Sequence, residues 1–136
     1  MTRRSTVDYA LRKRAVLADV RAGRVALAEV CDATPQLVQA ARHHGEGTEE
    51  TCPVCRRWRL TRVNYVYGDA LGTVAGQAKR ERELARMDAA QDEFAVHAVE
   101  VCRGCGWNHL ALSYVLGAVV EPGRAPRRPG RRSAPD

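Results

Sequence analysis

No run of apolar residues in this chain approaches the ~18 that a membrane-spanning helix requires. The first ten residues, Met1 to Ala10, carry arginine early and lack the apolar stretch of a secretory leader. Neither a membrane span nor export is therefore expected, and a cytoplasmic location is. Lysine is nearly absent, with 2 lysines against 20 arginines. The formal charge of +6 thus rests on guanidinium groups, which favour polyanionic partners. An arginine- and alanine-rich composition equally suits a genome of high GC content. No Ser/His/Asp set, phosphate-binding glycine loop or carboxylate pair in a cleft context is present. Catalysis has no visible carrier, and no small-molecule substrate is expected. At 136 residues a single core is marginal, the situation in which a bound metal contributes much of the folding free energy.

What the chain does have is two tight pairs among its five cysteines, Cys52-Pro-Val-Cys55 and Cys102-Arg-Gly-Cys105. The C-x-x-C spacing lets two thiolates converge on one ion across a turn, and two such turns complete a tetrahedral sulfur cage. Soft thiolates in that arrangement suit zinc, one ion per chain. Two disulfides would need an oxidising compartment, and a thioredoxin-like redox motif would need a βαβ context that neither pair has; an iron–sulfur cluster remains a rival occupant. A closed four-thiolate site stabilises a fold and leaves no position open for catalysis. The 46 residues between the pairs exclude a compact one-helix finger and suit a zinc ribbon carrying an insertion. Phe94 to Val101 reads as a strand entering the second pair, and Leu110 to Leu116 as a strand leaving it. Gly104 and Gly106 supply backbone freedom at that turn, whereas Arg56 stands where a glycine often follows the first pair.

The predicted architecture is α+β. Residues 5–45 form an N-terminal helical region, residues 46–120 an antiparallel zinc-ribbon module with an inserted helix over 79–91, and residues 121–136 a tail. Ser5 and Asp8 resemble a capping box, with Val7, Leu11, Val16, Leu17 and Val20 as the apolar stripe of a first helix. Thr34-Pro35 opens a later helix that stops at Gly45. Leu27 to Arg42 resembles a helix-turn-helix whose Gln36, Gln39 and Arg42 would face a major groove; an ordinary αα-hairpin with a solvated polar face fits as well. Cys31 reads as a small buried hydrophobe rather than a further ligand, His97 as a packing residue, and His109 as a group able to hydrogen-bond near the metal.

Arg56, Arg57, Arg59 and Arg62 interleave with Trp58, Tyr65 and Tyr67, a pattern suited to phosphate contacts and base stacking. The competing reading is that Arg56, Arg57 and Arg103 offset the −2 charge of a divalent ion held by four thiolates. The tail holds four prolines and five arginines in sixteen residues, a composition that cannot bury a core and reads as disordered and basic.

The helices over 25–47, Cys52-Pro-Val-Cys55, Tyr65-Val-Tyr-Gly-Asp69 and Val99-Glu-Val-Cys-Arg-Gly-Cys-Gly-Trp-Asn-His-Leu110 together resemble a family of small actinobacterial proteins catalogued as a domain of unknown function (DUF5318-like). The resemblance covers residues 5 to 117 and implies a cytoplasmic, zinc-binding bacterial protein; it implies no activity. Two readings follow. The first is a non-enzymatic nucleic-acid-associated accessory of transcription or translation, using Arg42, Arg56, Arg57, Trp58, Arg59, Arg62 and the tail, with a nucleic acid or nucleoprotein machine as partner. The second is a zinc-stabilised adaptor that docks on a protein partner. Arginines clustered with Trp58 and Tyr67 would favour the first, and an apolar patch containing Trp107 and Leu112 the second.

Overall fold

The computed structural model describes residues 1–120 and Gly123. Its centre is a β-strand pair that the alternating apolar pattern makes almost inevitable: β5 (Phe94–Val101) and β6 (Asn108–Leu116), antiparallel across the second cysteine pair. Along β5, Phe94, Val96 and Ala98 are buried on one face and paired with Leu116, Tyr114 and Leu112. A bulge then inserts Ala111 between the Leu112 and Leu110 pairings. On the other side of β5 lies β3 (Arg59–Tyr67), itself preceded by β2 (Glu46–Thr51). The short β4 (Ala78–Lys79) continues the same edge beyond β2, and β1 (Arg4–Asp8) closes the opposite edge against β6. All named strands pair antiparallel in the order β1-β6-β5-β3-β2.

Three apolar clusters hold the helices to this sheet. α4 (Glu81–Ala90) and a 3₁₀ segment (Asp69–Val74) set Leu84, Leu71 and Val74 against Val66, Phe94, Val96, Tyr114 and Leu116. α3 (Pro35–His44) lays Ala41 on Val63 and Val101 of the other face. α1 (Ala10–Arg21) contributes Leu17 to a third cluster with Cys52, Leu60, Cys102 and Trp107. The packing of the third cluster is thus shared between side chains and the cysteine sulfurs.

The helix expected from Ser5 begins instead at Ala10. Ser5 to Asp8 lie in β1, because the unpaired edge of β6 offers the backbone a ladder of hydrogen bonds that a local capping pattern cannot match. Asp8 does act locally, its Oδ1 accepting from Ala10 N at 2.8 Å. The expected stripe shrinks accordingly: Leu17 is buried, whereas Leu11 is 74% exposed and Val7 lies in the edge strand. Thr34 caps α3 as its sequence predicts, Oγ1 accepting from Leu37 N at 3.1 Å. α2 (Leu27–Val30) is a single turn with no buried residue, and α3 spends its apolar side on the sheet. The helix-turn-helix geometry therefore lacks a first helix long enough to brace a second one in a groove. The inserted helix forms as α4, and the predicted tail lies outside the described residues except for Gly123.

Candidate metal centre and its surroundings

Each cysteine pair occupies the tip of a hairpin, the first between β2 and β3 and the second between β5 and β6. The β3–β5 pairing brings the two tips together. Their backbone hydrogen bonds follow the same pattern. Cys52 O accepts from Arg56 N at 3.1 Å and Cys102 O from Gly106 N at 3.0 Å; Cys52 N donates to Trp58 O at 2.7 Å and Cys102 N to Trp107 O at 2.8 Å. The first tip holds one residue more than the second. Both turns need a left-handed residue after the second cysteine: Gly106 supplies it at φ 89°, and Arg56 is driven to φ 59°.

The four sulfurs converge. Cys52 and Cys105 Sγ are 3.7 Å apart, as are Cys55 and Cys102 Sγ, and all four lie within 4.8 Å of one another. A tetrahedral thiolate site with metal–sulfur arms of ~2.3 Å has edges of about 3.8 Å, so the donor set fits a metal ion that Cys52, Cys55, Cys102 and Cys105 can hold. Backbone amides already point at sulfur: Val54 N at Cys52, Cys105 N at Cys102 and Trp107 N at Cys105, each at 3.4 Å. Amides of Arg57 and Trp58 do the same for Cys55 and hold its thiol down to about 6. Burial pushes Cys102 up to about 12 and Cys105 up to about 11. The cage is thus poised to exchange protons for a cation.

The sequence-predicted nucleic-acid residues do not stay together. Arg56, Arg57 and Trp58 are exposed at the tip beside the cysteines. Arg59 is exposed but ion-paired with Glu49 at 3.3 Å. Arg62 turns under α1, its Nε buried with no hydrogen-bond partner. Arg42 is exposed on α3 and not on either tip. Tyr67 sits at the far end of β3 from Trp58, its ring centroid 4.9 Å from that of His97 and tilted by 47°. In place of the residues that leave, Arg103 joins from the second tip. Trp58 rests on Gly104, where any Cβ would overlap the indole ring, so that glycine is required by packing and not by its torsion angles. A hollow beside the indole is lined by Cys55, Arg57, Gly104 and Cys105.

Two features had no signal in the sequence. Cys31 places its Sγ 3.8 Å from that of Cys105, which makes it a neighbour of the centre as well as an apolar filler. A second charged cluster lies under α1. Glu100 of β5 is only 6% exposed, and Lys13 Nζ reaches it at 2.8 Å and Glu50 at 3.4 Å. Burial works to lower the Lys13 pKa, but the hydrogen bond and charge of Glu100 carry it above its ordinary value. Arg62 and His109 flank Glu100 on the adjacent strands. His109 lies 3.3 Å from Tyr9 O through Nε2 and stacks near Trp107; it does not reach the cysteines. Burial lowers its pKa.

Comparison with known proteins adds kinship without an activity. Uncharacterized protein Rv0049 of Mycobacterium tuberculosis and uncharacterized protein Mb0050 of Mycobacterium bovis are each 51% identical to this chain over 124 residues, covering 91% of it and 90% of the relative. No solved structure matches the chain. A family described as of unknown function (DUF5318) matches residues 1–130, and the chain belongs to that family.

Proposed function

We propose that this is a non-enzymatic zinc-ribbon protein that associates with nucleic acid through the tips of its two hairpins. Zinc, bound by Cys52, Cys55, Cys102 and Cys105, would cross-link the hairpins and fill its own shell with sulfur, leaving no open position for substrate. The observation that carries the reading is the company the sulfurs keep. Arg56, Arg57 and Arg103 are exposed around them with no ion pair to any carboxylate among the described residues. Trp58, 47% exposed and seated on Gly104, presents an indole face in their midst. Guanidinium groups beside an exposed ring suit phosphates flanking an unpaired base, so single strands should bind better than duplex.

An adaptor docking through Trp107 and Leu112 has less support, because Trp107 is 1% exposed and Leu112 packs into the cluster around Phe94. The deciding measurement is titration of the zinc-loaded chain with a single-stranded oligonucleotide and its duplex, read by Trp58 fluorescence at low and near-physiological salt. Trp107 is buried, so quenching reports Trp58. Binding that weakens steeply with salt and is lost in Arg56→Ala/Arg57→Ala/Arg103→Ala supports the proposal. No quenching and no shift in mobility at low salt would leave it without basis.

A further inference from the structure

We infer that Cys31 and Cys105 form a redox pair: a hydroperoxide entering beside Trp58 oxidises Cys105, and Cys31 resolves it into a disulfide that withdraws one ligand from the metal site. Resting on the four-thiolate cage proposed above, this pair gives the fifth cysteine a part that the cage leaves it without.

Cys31 is fastened where it stands. It ends the single turn of α2, and the residues after it are tied to the second hairpin tip. Ala33 N donates to Gly106 O at 3.0 Å, and Asn108 Nδ2 donates to Asp32 Oδ1 at 2.8 Å. Gly106 lets the two backbones meet, since a Cβ there would stand 3.0 Å from Cys31 O. The Cys31 sulfur thereby comes within 3.8 Å of that of Cys105. A disulfide bond is about 2.05 Å long, so the two sulfurs have on the order of 2 Å left to close. The cage holds pairs just as near, Cys52 with Cys105 and Cys55 with Cys102, each at 3.7 Å. Each of those pairs consists of two ligands, so a bond within it removes two contacts to a bound ion. A bond between Cys31 and Cys105 removes one, because Cys31 stands outside the set of four.

Access singles out the same sulfur. Cys52 and Cys102 are fully buried, whereas Cys55 and Cys105 are partly exposed. Both of the latter line the hollow of about 420 Å³ that they share with Arg57, Trp58 and Gly104. Of the two, Cys105 is the one with Cys31 at its side. The Cys105 thiolate attacks one oxygen of the peroxide, the O–O bond breaks, and hydroxide leaves toward the Arg57 guanidinium. The Cys31 sulfur then attacks the sulfenic sulfur of Cys105. The S–S bond forms as the S–O bond breaks, and the departing hydroxyl takes the Cys31 proton to become water. With hydrogen peroxide, one thiolate and one thiol thus give one disulfide, one water and one hydroxide, two electrons passing from sulfur to oxygen. A dithiol reductant returns both thiols by exchange.

The test treats the full chain, purified with zinc, with one equivalent of hydrogen peroxide, then blocks the remaining thiols and digests with trypsin. Cleavage after Arg24, Arg42, Arg56, Arg86, Arg103 and Arg124 leaves Cys31, Cys102 and Cys105 in separate peptides and keeps Cys52 with Cys55. The first disulfide should join peptide 25–42 to peptide 104–124, and zinc should pass to a chromophoric chelator in step with it. Cys31→Ser should hold the same metal before peroxide and release it about tenfold more slowly afterwards, because Cys105 has lost a partner held in place. Cys31→Ala makes the same comparison without a hydroxyl. Dithiothreitol should restore both thiols and zinc retention in the parent. A first disulfide between two cage cysteines overturns the inference, as does zinc release from Cys31→Ser at the parent rate, or oxidation of Cys105 with no disulfide formed. Metal content before peroxide decides the cage by itself, and the disulfide connectivity is read whatever that content proves to be.

Discussion

Lys13→Met is the sharpest perturbation of the fold, because it strands Glu100. Glu100 has 7% of its side chain accessible and Lys13 19%, so the pair is largely withdrawn from water. Removing one partner of a buried ion pair costs about 3–5 kcal/mol, mostly the penalty of an unpaired charge in low dielectric. Here the lower end applies, about 3 kcal/mol, because the cleft beside Glu100 admits water and Arg62 stands opposite as a substitute cation. The companion variant Lys13→Met/Glu100→Gln removes the charge itself and should recover to within about 1 kcal/mol of the parent. Urea unfolding of zinc-loaded protein at pH 7, followed by far-ultraviolet circular dichroism, gives all four corners of the cycle with Glu100→Gln. The pH dependence has a definite sign. The Lys13 pKa is raised in the folded state above its ordinary 10.5, so its contribution is complete below pH 10.5 and is lost as pH climbs through the folded value. The gap between parent and Lys13→Met should hold through neutral pH and close only in strong alkali. A cost below about 1 kcal/mol, or a double variant as unstable as the sum of its singles, would refute the reasoning.

Other outcomes follow from the candidate metal centre. Purified protein should carry one zinc per chain, and Cys102→Ser should abolish stoichiometric retention by elemental analysis. Chelator competition should show zinc affinity rising at least about a hundredfold per pH unit between pH 7 and 8, since the ion displaces at least the protons of Cys102 and Cys105. Arg56→Gly should stabilise the chain by about 0.5–1 kcal/mol in urea titrations, because a left-handed residue costs about 1–2 kcal/mol and glycine returns part of that as unfolded-state entropy. Gly104→Ala should leave zinc bound, shift Trp58 emission and weaken single-strand binding several-fold, as expected when a stacking ring loses its seat.

The cysteine pairs, the Thr34 cap and the strands flanking the second tip were legible because each is written in a short stretch of sequence. A C-x-x-C turn, a threonine before proline, and alternation from Phe94 to Val101 need no distant partner to be recognised. β1 was not legible, since Ser5 and Asp8 spell a helix start and only the free edge of β6, more than a hundred residues away, overrides them. The arginine run misled for a related reason. Arg59 and Arg62 share a strand with opposite outward and inward fates, and the inward one is set by Glu100 and α1. The cleft under α1 was invisible because its charges come from Asp8, Lys13, Glu50, Arg62 and Glu100, which no window of sequence contains.

The pairing of β1 with β6 also orders the events of folding. Arg4 finds its partner in Val115, and the first cysteine pair waits for the second across 46 residues. Such distant closures make loop entropy the main kinetic obstacle. During synthesis, at about 5–20 residues per second, the N-terminal strand and the first thiol pair emerge many residues before anything can receive them. The nascent chain therefore spends its growth with an unmatched strand edge and two uncommitted thiols. Folding becomes possible only when β6 has left the ribosome, so a stall or truncation before Leu116 would yield a chain with no route to the closed sheet.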